Sequence, residues 1–114
     1  MNATPTGNQI MKAIIDGLRY DTATATKLAE ASSPLSRSDF GWWEESLYRT
    51  PRSGRYFLAG EGHARSHYAR NLGGGSWGPG EKISPMTEAE ARAWVERNVS
   101  AGEYEAIFGA AEEA

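Results

Sequence analysis

Glu45 to Gly62 reads ESLYRTPRSGRYFLAGEG, and the reading of this stretch decides the fold. Two runs of strand-forming residues, Leu47-Tyr48-Arg49-Thr50 and Arg55-Tyr56-Phe57-Leu58-Ala59, flank Pro51-Arg52-Ser53-Gly54. Pro51 presets φ for the first turn position, and Gly54 can adopt the left-handed conformation that closes a four-residue hairpin loop. Pairing Thr50 with Arg55 sets Arg49 against Tyr56, Tyr48 against Phe57 and Leu47 against Leu58. One face then carries Leu47, Tyr56 and Leu58, and the other carries Tyr48, Phe57 and Ala59. Both faces are apolar enough to need cover, which one helix cannot supply.

The rest of the chain supplies candidates for that cover. Asp16-Gly17 is a two-residue turn signal between Ala13-Ile14-Ile15 and Leu18-Arg19-Tyr20, predicting a first hairpin. Asp21 or Thr22 is placed to cap a helix to about Ala31, with Ala25, Leu28 and Ala29 as its apolar face. Leu35 to Gly41 reads as a loop. Trp42 and Trp43 are adjacent, so in an extended segment they point opposite ways, one to the core and one to the other face or under a loop. His63 to Arg70 reads as a short helix or irregular turn, and Gly73 to Gly80 as an exposed loop carrying Trp77. Lys82 to Pro85 is a short edge strand, because Pro85 lacks a donor.

Thr87 with Glu90 forms a capping box that starts a helix to about Asn98, with Ala91, Trp94 and Val95 on its buried stripe. Ser100 with Glu103 repeats the spacing for a last helix, which Gly109 stops. The expected fold is α+β: a small, mainly antiparallel sheet of two hairpins and a short fifth strand, packed by about three helices. Residues 1–10 read as a flexible tail, 11–109 as a single domain and 110–114 as a frayed end. Strand-like sequence follows Met11 at once, so Met11 is an alternative translation start.

Composition narrows the function classes. The chain has 114 residues, no cysteine and a net charge of −3, so disulfides and cysteine-ligated zinc are excluded. Its apolar runs fall far short of the roughly 20 residues that span a bilayer as a helix. A cytoplasmic protein is the default expectation. Positive and negative residues number three and three over 1–36, seven and five over 37–82, and two and seven over 83–114. Neither a strong nucleic-acid footprint nor a DNA-mimic surface follows from that balance.

Catalytic and ligand-binding patterns are sparse. His63 and His67 stand four apart, the spacing that shares a metal on a helix, but no third ligand completes a known zinc pattern. Gly60-Glu61-Gly62 and the triple glycine at 73–75 match neither phosphate-loop signature and read as structural turns. No nucleophile elbow precedes a helix, and Glu44-Glu45 point opposite ways on a strand. The expectation is a protein that is not an enzyme and uses neither cofactor nor metal. What remains is Trp42, Trp43, Tyr48, Tyr56 and Phe57 interleaved with Arg49, Arg52 and Arg55. Those residues suit a packed core with solvated turn arginines, a protein-binding hot spot, or a base-stacking surface. Once the hairpin pairing assigns the aromatics to packing, Arg49, Arg52, Arg55 and the loop residue Trp77 are the candidate partner contacts.

Lys12 to Ala25, KAIIDGLRYDTATA, resembles the opening of a family of small proteins from bacterial phages, plasmids and integrative elements. Leu47 to Gly62, LYRTPRSGRYFLAGEG, and Ile83 to Trp94, ISPMTEAEARAW, are similar to its later motifs. The resemblance covers roughly residues 11–108 and implies an anti-CRISPR-like activity. Such a protein binds a CRISPR-Cas effector, a type I surveillance complex being the candidate, and blocks DNA binding or cleavage inside the host cell. The alternative is a nucleic-acid-binding accessory protein of a mobile element. The motifs look like fold determinants, so the resemblance carries over no catalytic residue. Asp16-Gly17-Leu18, the tryptophan pair and the 73–80 loop depart from the family pattern.

Overall fold

A computed structural model describes residues 10–114. Most of the tail expected at 1–10 therefore lies outside the described residues. At the centre stand β4 (Trp43–Arg49) and β5 (Tyr56–Gly62), joined by the 50–55 turn. Their register is the one the turn chemistry predicts: Arg49 opposite Tyr56, Tyr48 opposite Phe57 and Leu47 opposite Leu58. Gly54 takes φ +66°, and the turn is locked by Thr50 N–H donating to the Arg55 carbonyl at 2.8 Å and Arg55 N–H donating to Thr50 Oγ1 at 2.9 Å.

This hairpin is the middle of a four-stranded antiparallel sheet ordered β3-β4-β5-β8, with β3 at Thr26–Ser32 and β8 at Gly80–Met86. The short strand expected at Lys82–Pro85 is thus a longer edge strand, with Pro85 opposite Phe57. The helix expected over 22–31 is corrected: after one turn at Asp21–Ala25 the chain enters β3 instead. A register shift between Lys27 and Ala29 puts Leu28, Ala29 and Ala31 against the helical side of the sheet. That bulge breaks the strict alternation of a strand and imitates a helical stripe. The partner decides the outcome, since β4 is buried and its second edge needs backbone hydrogen bonds.

Each face of the central hairpin has its own cover. On one, Leu47, Tyr56 and Leu58 pack with Ala29 and with Ala91, Trp94 and Val95 of α1 (Glu88–Asn98). Helix α2 (Ala101–Phe108) adds Tyr104, Ile107 and Phe108 at the margin of that core. The capping box at Thr87 and Glu90 is present in both directions, and the Ser100 side chain accepts from Glu103 N–H. Two helices rather than three therefore suffice. On the opposite face, Tyr48, Phe57, Ala59 and Ile83 pack with Met11 and Tyr20 from a hairpin of β1 (Lys12–Ile15) and β2 (Leu18–Asp21). Phe57 is fully buried there, stacked on Tyr48 and edge-on to Tyr20 at 5.2 and 5.4 Å between ring centroids. Asp16 and Gly17 both take positive φ, the requirement of the tight turn predicted for them.

The segment from Gly73 to Gly80 is also corrected from a loop. It belongs to a small hairpin of β6 (Arg70–Gly73) and β7 (Ser76–Gly78), turned at Gly74-Gly75. Among the described residues, no helix is long and apolar enough to cross a membrane.

Candidate functional site

The two ends of the central sheet differ in chemistry. At the turn end, Arg49, Arg52 and Arg55 are exposed. Arg49 lies over the Tyr56 ring, 5.6 Å from its centroid, and its guanidinium packs against Gly54. Arg52 stands at the apex of the turn. Arg55 has the strand parity of Phe57, so Arg49 and Arg55 flank opposite faces of the hairpin. Among the described residues, none of the three forms an ion pair with a carboxylate.

Trp77 is 55% exposed on β7. The fold does not bring it to the arginines. Gly80 pairs with Gly62 and Met86 with Tyr56, so β7 enters β8 at the far end of the sheet. Seven strand residues at about 3.3 Å each separate the two ends by roughly 20 Å.

At that far end lies a second cluster that no sequence motif announces. Glu45, on β4, is buried beneath the 63–69 turns. Its Oε1 accepts from Trp94 Nε1–H of α1 at 2.8 Å. Its Oε2 accepts from the Tyr68 hydroxyl at 2.7 Å and from His67 Nε2–H at 3.0 Å. Burial pushes the Glu45 carboxyl up, but the bonds from Trp94, Tyr68 and His67 outweigh it and hold the group below the ordinary carboxylate range. Burial, and then the Glu45 carboxylate, push the Tyr68 phenol well above its ordinary value.

Glycine makes this arrangement possible. A Cβ on Gly60 would collide with the Tyr68 ring, one on Gly62 with the Ser66 side chain, and one on Gly80 with the Tyr68 carbonyl. Gly60 and Gly62 therefore act inside a strand as a floor on which the 63–70 segment lies, rather than as turns.

The same turns separate the roles of the two histidines. His63 donates Nε2–H to the Arg37 carbonyl at 2.7 Å and packs on the Trp42 ring at 5.0 Å. His67 packs edge-on to Trp43 at 5.4 Å. Since a carbonyl and an ionised carboxylate only accept, both imidazoles carry their proton on Nε2. Trp42 is the buried member of the tryptophan pair and Trp43 is half-buried. An open cleft of about 780 Å³ lies beside this cluster, lined by both histidines, Arg37, Arg70, Lys82 and Glu61 among others.

Across the sheet, the other face of the same end is acidic. Glu44 stands opposite Glu61, and Glu61 opposite Glu81. Burial, and then Glu61, raise the Glu44 carboxyl, whose Oε1 is buried without a hydrogen-bond partner among the described residues.

No protein family, curated protein or solved structure matches this chain.

Proposed function

We propose that this chain is a non-enzymatic inhibitor that binds a bacterial CRISPR-Cas effector, in the manner of an anti-CRISPR protein. The observation that carries the reading is the arginine tip. Arg49, Arg52 and Arg55 are exposed without carboxylate partners among the described residues, on a hairpin whose strands are buried on both faces. A turn held so firmly leaves little backbone entropy to lose on docking, and the remaining ordering cost is that of the arginine side chains, about 0.5–1.5 kcal/mol each. Arginine is also a favoured hot-spot residue, because its planar fork suits acidic or phosphate-facing partner surfaces. The resemblance of Lys12–Ala25, Leu47–Gly62 and Ile83–Trp94 to the motifs of the mobile-element family supports the same reading. Trp77, at the other end of the sheet, belongs to a separate contact.

Co-expression with purified candidate effectors, type I surveillance complexes first, tests the proposal. The tagged chain should co-purify with its target and restore plaque formation by a restricted phage. The Arg52→Glu/Arg55→Glu variant should lose both effects while keeping its fold. Unaltered restriction across several CRISPR types would sink the reading. The same unpaired arginines favour a second reading, direct nucleic-acid binding. In that case the chain retards DNA or RNA in a gel without any effector, and affinity falls steeply as salt rises.

A further inference from the structure

We propose that α2 is a strap that opens as a unit about Val99-Ser100, that Arg92 latches it shut, and that opening uncovers Tyr56 beside Arg49. The two helices are held very differently. Helix α1 buries Ala91, Trp94 and Val95, whereas, among the described residues, α2 contributes none that is buried. Its eight residues make about two turns, too few to stay helical without docking. The last turn, Glu105 to Phe108, has no cation to complement the helix dipole and carries a carboxylate instead. Between the helices stand Val99 and Ser100, both extended, and each helix has its own cap. Rotation about those two residues moves α2 without unwinding α1.

Arg92 of α1 carries the latch. Its Nε and Nη2 donate to Glu88 Oε2 at 2.9 and 2.7 Å, which leaves Nη1 for α2. Nη1 donates to the Tyr104 hydroxyl at 3.0 Å, and the guanidinium lies over the Phe108 ring, 4.6 Å from its centroid. Tyr104 and Phe108 pack on each other at 5.0 Å, so one side chain grips both rings.

The strap covers Tyr56. Phe108 meets the Tyr56 ring at 6.0 Å between centroids, and Arg49 lies over the same ring at 5.6 Å. Tyr56 is buried while α2 is docked. Undocking leaves a bare aromatic next to an exposed arginine, the two residue types that most often anchor protein interfaces. That use of Tyr56 rests on the reading of the arginine tip, and the opening itself does not.

Hydrogen exchange of the full chain, followed by NMR, tests the opening with no partner present, so the strap and the tip can fail separately. Tyr104 N–H donates to the Ser100 carbonyl at 3.0 Å and Gly109 N–H to that of Glu105 at 2.9 Å. Ala91 and Val99 make bonds of 2.9 and 3.0 Å in α1, so bond length does not separate the helices. Tyr104 to Gly109 should share one protection factor, about a hundredfold or more below that of Ala91 and Val99. Arg92→Ala should lower it about five- to tenfold. Ile83→Val, in the core on the opposite face, should lower protection in α1 and leave that of α2 unchanged, because this core survives the opening. Nitration of Tyr56 by tetranitromethane, read by mass spectrometry, should accelerate in Arg92→Ala by the same factor as exchange. Equal protection in the two helices overturns the proposal, as does loss of α2 protection in Ile83→Val. A steady fall in protection from Tyr104 to Gly109 means fraying rather than a strap and also overturns it. An unchanged nitration rate overturns the uncovering of Tyr56.

Discussion

Glu44 and Glu45 are adjacent in sequence and opposite in thermodynamic sign. Glu45 has its carboxyl held below the ordinary value, so its contribution to stability is complete above that value and fades as pH falls through the folded one. Glu44 is raised, so its ionised form weakens the fold at neutral pH and the weakening is relieved as pH falls through its folded value. Thermal melts across pH should separate the two. Glu45→Gln should lower the melting temperature at pH 7, costing about 1–3 kcal/mol, because an amide cannot accept all three donors. Its deficit should close only in acid below the ordinary carboxylate range. Glu44→Gln should raise the melting temperature at pH 7, and that gain should vanish on acidification. A Glu44→Gln gain that persisted unchanged into acid would contradict the assignment.

At the level of elements, close approach and capping make two further measurable claims. Gly60→Ala places a methyl in the Tyr68 ring, and overpacking of this kind costs about 1–3 kcal/mol. Tyr68→Ala should partly rescue it, so chemical denaturation of the two single variants and the double should show non-additivity. Thr87→Ala should cost about 1 kcal/mol through loss of the α1 cap, read from the same curves. Elements specified by short-range chemistry were legible in the sequence: the Asp16-Gly17 turn, the Pro51–Gly54 loop with its register, and the Thr87 box. β3 was not, because its bulge mixes two periodicities and its conformation is decided by the open edge of β4. The Gly74-Gly75 hairpin was hidden by glycines that look like loop. Of the candidate sites, the arginine tip could be read from its turn. The Glu45 cluster could not, since its donors lie 22, 23 and 49 positions away and only the fold unites them. The one available signal was a strand rich in glycine, at Gly60 and Gly62, which implies something packed close above it.

Across the whole molecule, one sheet serves two cores, with helices on one side and a hairpin on the other. Phe57→Ala empties the second of these and should cost about 3–5 kcal/mol, a large part of the stability of a single small domain. Arg52→Ala should leave the denaturation midpoint unchanged, because the apex residue joins neither core. Unfolding by Arg52→Ala would show that the tip is structural after all. The path between β5 and β8 has a different consequence. Gly62, where β5 ends, and Gly80, where β8 begins, are register partners, so residues 63–79 leave and rejoin the sheet at the same rung. Residues beyond Tyr68 can therefore change in length while the strands on either side keep their alignment, whereas 63–68 must go on seating His67 and Tyr68 over the buried Glu45.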